Sequence, residues 1–372
     1  MKKEVKTNLI HSLPILYLLL TIIFISGCAT VEKKPPPVPA PKVEVPKEEV
    51  PVVKPKEEVP VAAPPKPAPP IPNTRVFPDF IALIAQEGDT LSSLADKYLK
   101  DASMDWFIAD FNDISTLSPG EALIIPLKPY ERGGLSAKGY QIVPVLSYHQ
   151  FSKTVKNKMT VTEADFEEQM KFLKDDGYRV ITLDQLFDFL DFKIQIPKKS
   201  VVITIDDGWR SVYDIAYPIL KKYGYPATLF IYTDLITGGE KTLSWDLIDE
   251  MVKSGLIDLQ CHSKTHRNLT ILDKKETFPQ YFESILENEL KGCRSIVKRR
   301  LNRDVKYFAY PYGDTNHLVV GLLRKLGYRG AFTVKRWGNP FFIHNYRVNR
   351  SMIYGDYDLS QFRKNLDVFN RE

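Results

Sequence analysis

The chain has 372 residues, of which 44% are hydrophobic and 12% aromatic, so it can bury a substantial core but is long for a single domain. Its formal net charge is +5, because 51 basic residues are spread among 46 acidic ones. A balance this modest does not indicate a nucleic-acid partner. The small positive charge is compatible with attraction to an anionic wall polymer or a membrane surface. It is equally well explained by the need of any protein for charged surface residues that keep it in solution.

The N-terminal segment has three lysines within its first six residues, followed by an apolar run from about Ile10 to Ile25. This run is short for a bilayer span and suits the apolar part of a signal peptide. It ends in Ile25-Ser26-Gly27-Cys28, which resembles a bacterial lipobox. The resemblance implies that residues 1–27 are removed, that Cys28 is lipidated, and that Ala29 favours the outer membrane. The alternative is an uncleaved membrane anchor that happens to contain a cysteine.

A linker is predicted at residues 28–76. From Val31 to Pro72 the chain is mostly Pro, Val, Lys, Glu and Ala. Such dense proline excludes helix and sheet interiors and favours extended polyproline II, with too little apolar surface to fold. At about 3.1 Å per residue, roughly forty residues span on the order of 100 Å. That reach could bridge a membrane and the wall layer.

A small domain is predicted at residues 77–130. Two apolar runs enclose two helical patterns. These four segments are Ile81–Ile84, Asp89–Tyr98, Ser103–Phe111 and Leu123–Pro126. The βααβ order resembles the lysin-motif (LysM) fold, as do the landmark segments Glu87–Leu91 and Leu117–Pro126. The resemblance implies a small α+β domain that binds glycans containing N-acetylglucosamine, such as peptidoglycan. The alternative is a spacer that has lost its ligand.

From residue 140 to residue 372, apolar runs of strand length alternate with helical patterns. This alternation indicates an α/β fold with a parallel sheet covered by helices. About 230 residues suit one β/α barrel, which keeps its catalytic groups at the C-terminal ends of its strands. The predicted strands are Ile142–Ser147, Val201–Ile205, Ala227–Tyr232, Ile257–Cys261, Tyr307–Tyr310 and Gly330–Val334.

Two adjacent carboxylates, Asp206 and Asp207, follow the second of these strands. A buried strand cannot keep such charge, so we expect the pair at the mouth of the strand. Adjacent strand residues point to opposite faces of a sheet. Both carboxylates can serve one site only if the backbone bends, and Gly208 provides the freedom to bend.

Two histidines, His262 and His266, follow the strand Ile257–Cys261. Imidazoles at this spacing can face one metal ion if the segment makes roughly one helical turn, and one carboxylate completes the ligand set. The metal would lower the pKa of its bound water while a second carboxylate accepts the proton. Alone, an Asp-Asp-Gly is typical of a turn and a histidine pair is typical of packing. Together they favour a hydrolytic metal centre.

The segments Thr204-Ile205-Asp206-Asp207-Gly208 and His262-Ser263-Lys264-Thr265-His266 resemble the first two motifs of the polysaccharide deacetylase family. These carbohydrate esterases have a distorted, incomplete (β/α) barrel. The resemblance covers residues 140–372 and implies that Asp206 is the catalytic base. It also implies a divalent metal, usually zinc (Zn2+). The implied metal ligands are Asp207, His262 and His266.

The third motif departs from the common pattern. Ala309 precedes Tyr310-Pro311-Tyr312-Gly313 at the position where many members have an arginine, so the usual partner of the base is missing or replaced. The resemblance implies that the backbone amide of Tyr312 holds the oxyanion, and the alternative is a turn with a packed ring. We also assign Trp209, Tyr310 and Pro311 to substrate binding. For Trp209, core packing is an equal alternative.

A general acid is expected as well. The Leu-x-His motif that often supplies it is not evident near the C-terminus, where His344 lacks the leucine. Val145-Leu146-Ser147-Tyr148-His149 is instead an apolar strand that ends in histidine. Together with Ala-Tyr-Pro-Tyr-Gly, it resembles the poly-N-acetylglucosamine deacetylase branch of the family. This resemblance implies that His149 protonates the leaving amine, and the alternative is a histidine that caps a buried strand.

The predicted function is metal-dependent N-deacetylation of N-acetylglucosamine units in a cell-envelope glycan. The lysin motif favours peptidoglycan, and the early histidine favours poly-N-acetylglucosamine. The predicted location is the bacterial envelope, lipid-anchored at the outer membrane and facing the periplasm. One alternative is a non-catalytic peptidoglycan-binding tether with a degenerate barrel, as the missing arginine suggests. Another is a different metal hydrolase on the same barrel, such as an amidase or an O-deacetylase.

Two cysteines remain once Cys28 is assigned to lipid. An envelope location permits a disulfide between Cys261 and Cys293. Equally, Cys261 can be a small buried thiol beside the predicted ligand His262.

Overall fold

The computed structural model describes residues 73–371. The predicted signal segment, the lipidation site Cys28 and nearly all of the predicted linker lie outside these residues. Within the described part of the chain, no helix is both long enough and apolar enough to cross a membrane.

Residues 73–128 form a small unit that we call the N-terminal module. Its elements are β1 (Thr74–Val76), β2 (Phe80–Ile84), α1 (Leu91–Leu99), α2 (Asp105–Asn112) and β3 (Ala122–Pro126). The strands form an antiparallel sheet in the order β1-β2-β3. Thr90 and Ser93 start α1 with a reciprocal pair of hydrogen bonds between side chain and backbone, at 3.0 and 2.9 Å. The predicted strand-helix-helix-strand order is present, with β1 as an additional strand.

The rest of the described chain forms a curled parallel sheet with helices on its outside, the predicted distorted (β/α) barrel. Its elements in chain order are β4 (Leu135–Ser136), β5 (Gly139–Gln141), β6 (Val145–Tyr148), β7 (Gln150–Ser152), β8 (Thr160–Thr162), α3 (Glu163–Asp175), β9 (Arg179–Val180), α4 (Leu183–Leu190), β10 (Ser200–Asp207), α5 (Tyr217–Tyr223), β11 (Ala227–Ile231), α6 (Trp245–Lys253), β12 (Ile257–Cys261), α7 (Phe278–Glu283), α8 (Gly292–Leu301), β13 (Tyr307–Ala309), α9 (His317–Lys325), β14 (Gly330–Phe332), β15 (Ser351–Met352), α10 (Leu359–Arg363) and β16 (Phe369–Arg371). Two π-helical stretches, Val212–Ala216 and Ser284–Lys291, run directly into α5 and α8.

The main sheet has the strand order β14-β13-β12-β11-β10-β6-β15, and β9 also pairs with β10. Every pairing in it is parallel. One short segment, Val348–Met352, lies between the two edges of the curled sheet. Its first residue bridges Phe332 of β14, and Ser351 pairs with Leu146 of β6. This closing segment therefore completes the wall of the barrel.

Alternating residues of β10 serve two separate cores, as strand geometry requires. Val201, Ile203 and Ile205 pack outward against the covering helices in the larger apolar cluster. Val202 belongs to the smaller cluster, with Phe230 and Phe332 of neighbouring strands and the apolar side of α4. Residues of β10 on the same side as Val202 therefore point into the barrel.

The N-terminal module packs against the barrel where β9 and β10 begin. Asp105 of α2 accepts two hydrogen bonds from Arg179 of β9, at 2.9 and 3.0 Å. Asp110 of α2 accepts one at 2.9 Å from the amide of Lys198, two residues before β10. The ring of Phe111 meets that of Tyr130 edge-on, with 4.8 Å between centroids. The module is thus attached at the end of β10 opposite to its two aspartates.

Candidate active site

Both aspartates lie at the C-terminal end of β10 and face one site. Asp206 points into the barrel, whereas Asp207 has a φ of +79° and Gly208 a φ of +115°. Backbone in this region is rare for any residue except glycine. The resulting bend places Nε2 of His262 3.9 Å from Oδ2 of Asp206 and 3.9 Å from Oδ1 of Asp207. The predicted bend is present, and it involves Asp207 as well as the glycine.

His262 and His266 lie in the loop that follows β12, and this loop is not the helical turn considered above. Ser263 and His266 have φ values of +71° and +65°, a conformation that costs about 1–3 kcal/mol for each such residue. Oγ of Ser263 accepts a hydrogen bond from the amide of His266 at 2.9 Å. The buried carboxylate of Glu289 accepts hydrogen bonds from the backbone amides of residues 264 and 265, at 3.1 and 3.0 Å. These bonds hold the loop so that the two Nε2 atoms are 3.2 Å apart.

A disulfide fixes the start of the same loop. Cys261, the last residue of β12, is bonded to Cys293 of α8, with 6.2 Å between their Cα atoms. Both residues are fully buried. Of the two alternatives for Cys261, the structure has the disulfide, and this bond attaches the histidine loop to α8.

Asp207, His262 and His266 form a group suited to a cation, because their ligand atoms all lie within 4.8 Å of one another. Nδ1 of His262 is 2.8 Å from the carbonyl oxygen of Ala309. That nitrogen therefore carries the proton, and Nε2 presents its lone pair to the site. Nε1 of Trp209 donates to Oδ2 of Asp207 at 2.8 Å, which leaves Oδ1 directed at the imidazoles. Two imidazoles and one carboxylate, with His262 and Asp207 each oriented by a second hydrogen bond, fit zinc or a similar divalent ion.

Asp206 is buried and paired with an arginine that the sequence analysis did not identify. Nη1 of Arg350 donates to Oδ1 of Asp206 at 2.6 Å, and its Nε donates to the carbonyl of Thr333 at 3.1 Å. Burial raises the pKa of Asp206, but the charge of Arg350, together with the charges that His262 and His149 carry when protonated, outweighs burial and holds this pKa at about 2. Asp206 is therefore ionised throughout the physiological range, as a proton acceptor must be.

Arg350 replaces the arginine that is absent at Ala309. It comes from the closing segment rather than from the third motif, so it reaches Asp206 from a different wall of the barrel. A signal for it exists in the sequence, since Val348-Asn349-Arg350-Ser351-Met352-Ile353 places an arginine in a short segment whose two ends are apolar. An arginine that is buried with such a segment needs an anionic partner.

His149 lies in the same pocket as Asp206, with 4.0 Å between its Nε2 and Oδ2 of the carboxylate. Burial lowers the pKa of His149 more than the two neighbouring aspartates raise it. The other histidine considered above, His344, is exposed, and its Nε2 faces the guanidinium of Arg324 at 3.0 Å. Of the two, His149 is the one placed beside the base.

The third motif divides into an exposed residue and two buried ones. Tyr312 has a φ of +61°, is 61% exposed, and lies against His266 with 4.9 Å between ring centroids. Tyr310 is fully buried, and its hydroxyl donates to the carbonyl of Tyr346 at 2.9 Å. Pro311 is buried as well. Both residues pack beneath the turn and support Tyr312, and their assignment to substrate binding stays a prediction.

The fold and the site together define an α/β-barrel hydrolase with carboxylates and imidazoles at the C-terminal ends of its strands. The family model described as polysaccharide deacetylase matches residues 193–331. The chain is 32% identical over 211 residues to the poly-beta-1,6-N-acetyl-D-glucosamine N-deacetylase of Staphylococcus epidermidis. The aligned region covers 55% of this chain and 71% of that protein. A protein of the same name from Staphylococcus aureus is 31% identical over 210 residues, covering 55% and 71%.

Solved structures show the same barrel. IcaB from Ammonifex degensii superimposes with a TM-score of 0.53 at 27% identity, covering 61% of this chain and 97% of that one. The deacetylase PplD of Streptococcus pyogenes, solved in complex with acetate, gives a TM-score of 0.54 at 24% identity and covers 62% and 99%. The second likeness shows the fold alone. This chain belongs to the polysaccharide deacetylase family, and it is a hydrolase of amide bonds.

Proposed function

We propose that this enzyme removes acetyl groups from N-acetylglucosamine units of a cell-envelope glycan, either poly-N-acetylglucosamine or peptidoglycan. The observation that carries the proposal is the convergence of the base Asp206, the histidine His149 and the cation-binding group in one pocket. The names of the relatives support the sugar, since they act on a polymer of N-acetyl-D-glucosamine. The lysin-motif resemblance of the N-terminal module supports peptidoglycan.

The residues of the pocket match the needs of acetamide hydrolysis. A divalent metal held by Asp207, His262 and His266 would acidify a water molecule and polarise the acetyl carbonyl. Asp206, oriented by its arginine, accepts the proton of the attacking water. The ring of Tyr312 contacts His266 of the same group, and we assign the backbone amide of Tyr312 as the donor to the oxyanion.

His149 completes the proton balance. Because burial lowers its pKa, His149 is neutral in the resting site at neutral pH. It must therefore receive a proton before it can donate one to the leaving amine. The proton that Asp206 accepts has only 4.0 Å to travel to Nε2 of His149. Transfer from Asp206 to His149 and then to the amine returns both groups to their starting states as acetate and amine leave.

The test is release of acetate by the purified protein from poly-N-acetylglucosamine and from peptidoglycan. We expect acetate from at least one of them, loss of activity with a chelator, and recovery with zinc. Asp206→Asn keeps the shape of the side chain but removes the base, and it should lower kcat by about 10²- to 10⁴-fold. Absence of acetate from both glycans, with stoichiometric metal bound, would contradict the proposal. A panel of ester and amide substrates tests the amidase and O-deacetylase alternative.

The proposal includes attachment to the envelope. The lipobox-like segment before Cys28 and the proline-rich linker support a lipid anchor at the outer membrane, with the enzyme facing the periplasm. The Cys261–Cys293 disulfide is consistent with an oxidising compartment. Palmitate labelling of the intact chain and of Cys28→Ser, followed by membrane fractionation, tests this part. Equal labelling of the two chains would exclude lipidation at Cys28.

The alternative of a non-catalytic tether loses its motivation. It rested on the missing arginine beside the third motif, and Arg350 supplies that charge from the closing segment. The catalytic base Asp206 therefore has an arginine partner in this barrel.

A further inference from the structure

A groove leads away from the active site along the side of the barrel that follows the third motif. It begins at Tyr312, whose ring contacts His266 of the cation-binding group, and it continues to Lys335, His344 and Arg347. Its volume is about 720 Å³, within the roughly 300–1,000 Å³ typical of small-molecule sites. We call it the cationic groove. A glycan whose acetyl group occupies the active site would have a neighbouring unit beside this groove.

The charge of the groove is unbalanced. Lys335 and Arg347 are exposed, and within residues 73–371 neither forms an ion pair with a carboxylate. Arg329, in contrast, has such partners in Asp188 and Asp191, at 2.7 and 2.9 Å. Two cations without partners at the wall of one groove attract an anion, and the attraction is strongest at low salt.

The remaining ionisable groups of the groove leave this excess in place. The one carboxylate in its wall, Asp314, accepts a hydrogen bond at 2.6 Å from Nδ2 of Asn268. Partial burial and the charges of Arg324 and Arg347 lower the pKa of His344, so this imidazole adds no charge at neutral pH. The positive charge comes from Lys335 and Arg347 against a single aspartate.

We infer that the cationic groove is a subsite for an anionic sugar, one that carries a carboxylate, next to the N-acetylglucosamine unit being deacetylated. This inference rests on the proposed function and narrows its substrate. The exposed ring of Tyr312 offers an apolar face to a sugar, and Lys335 and Arg347 offer donors to a carboxylate. Peptidoglycan has such a unit in N-acetylmuramic acid whose lactyl group carries no stem peptide, whereas poly-N-acetylglucosamine is neutral. The groove also repels a neighbouring glucosamine that has already lost its acetyl group, because that unit carries an ammonium.

The experiment compares three soluble substrates of equal length. These are a neutral N-acetylglucosamine tetramer, a peptidoglycan tetrasaccharide with its free lactyl carboxylates, and the same tetrasaccharide with those carboxylates converted to methyl amides. For the intact protein we expect kcat/KM about fivefold higher on the carboxylate form than on the amide form, with the preference largely lost in 0.5 M NaCl. Lys335→Gln with Arg347→Gln should abolish this preference and leave activity on the neutral tetramer within about twofold.

Two controls keep the result specific to the groove. Lys253→Gln removes an exposed lysine of α6, which is paired with Asp249, and should leave the preference unchanged. Calorimetry measures the affinity of the Asp206→Asn variant for the carboxylate and amide tetrasaccharides. The difference between the two affinities reports the preference for the carboxylate in the absence of turnover. Equal kcat/KM and equal binding for the carboxylate and amide forms would overturn the subsite. So would a preference that survives in the double variant. Loss of all acetate release with retained charge selection in binding would instead contradict the proposed reaction and support the subsite.

Discussion

Arg350 and Asp206 form an ion pair that is closed to solvent, with 2.6 Å between Nη1 and Oδ1 and side-chain exposures of 0% and 2%. The guanidinium also lies over the ring of Phe230, with 5.4 Å between Cζ and the ring centroid. Arg350 is therefore fixed by the barrel interior and in turn fixes the carboxylate. In a buried pair of this kind, removal of one partner leaves an uncompensated charge.

Arg350→Met should lower the free energy of unfolding by about 3–5 kcal/mol, because the charge of Asp206 would remain buried without its partner. It should also raise the pKa of Asp206, since burial would no longer be opposed by the arginine. Urea unfolding and the pH profile of kcat/KM measure the two effects. Adding Asp206→Asn to Arg350→Met should restore much of the stability. A single variant as stable as the parent protein would contradict this account.

Trp209→Phe should weaken zinc binding by about 10- to 100-fold while keeping an aromatic ring in place. The variant removes the Nε1 donor to Oδ2 of Asp207, and second hydrogen bonds of this kind orient metal ligands. Competition with a zinc-binding dye measures the affinity. Trp245→Phe in α6 is the matched control and should change the affinity by less than twofold. Equal affinities in both variants would show that the indole only packs.

Replacing both Cys261 and Cys293 by alanine should lower the free energy of unfolding by about 3–4 kcal/mol, as expected for a crosslink between residues 32 apart. Urea unfolding with and without reductant measures this change. The parent protein should become less stable once it is unfolded and refolded in reductant, whereas the double variant should be insensitive to reductant. Zinc affinity should fall as well, because the disulfide holds the start of the histidine loop. A double variant with unchanged stability would exclude this role.

The metal-free protein should lose stability as the pH falls from about 6.5 towards 4. Burial lowers the pKa of His262 to about 4, whereas in the unfolded chain this pKa is near 6.5. Between these values the unfolded state binds the additional proton, so acid favours unfolding. The expected loss is on the order of 3 kcal/mol, measured by urea unfolding in chelator at pH 7.5 and 4.5.

His262→Gln is the control for this pH effect, and its stability should depend less on pH in the same range. The pKa of Asp206 lies at about 2, so the contribution of this group is present above its unfolded value near 3.9 and is lost only below that pH. The effects of His262 and Asp206 on stability therefore fall in different pH ranges. A pH dependence that is identical in the parent and in His262→Gln would contradict the assignment to His262.

Local sequence patterns predicted the parts of the site that depend on short segments. The apolar runs gave the strands, and the carboxylates and imidazoles stand where two of those strands end. Arg350 and Asp206 are 144 residues apart, and only closure of the sheet brings them together. The carbonyl of Ala309 orients His262, and the carboxylate of Glu289 holds the backbone of the histidine loop. Neither contact belongs to a sequence motif. The burial of Tyr310 could not be predicted either, because a motif identifies neighbours in sequence and not which of them reach the surface.

The attachment of the N-terminal module has a consequence for how a long polymer could be handled. The module is bonded to Arg179 and Lys198, at the start of β9 and just before β10, and the chemistry takes place at the far end of β10. Eight residues of strand separate the two ends by about 25 Å. A glycan strand retained by the module would not be the stretch that loses acetate at that moment. If the module retains a glycan as we propose, the enzyme would hold one part of that polymer while it modifies another.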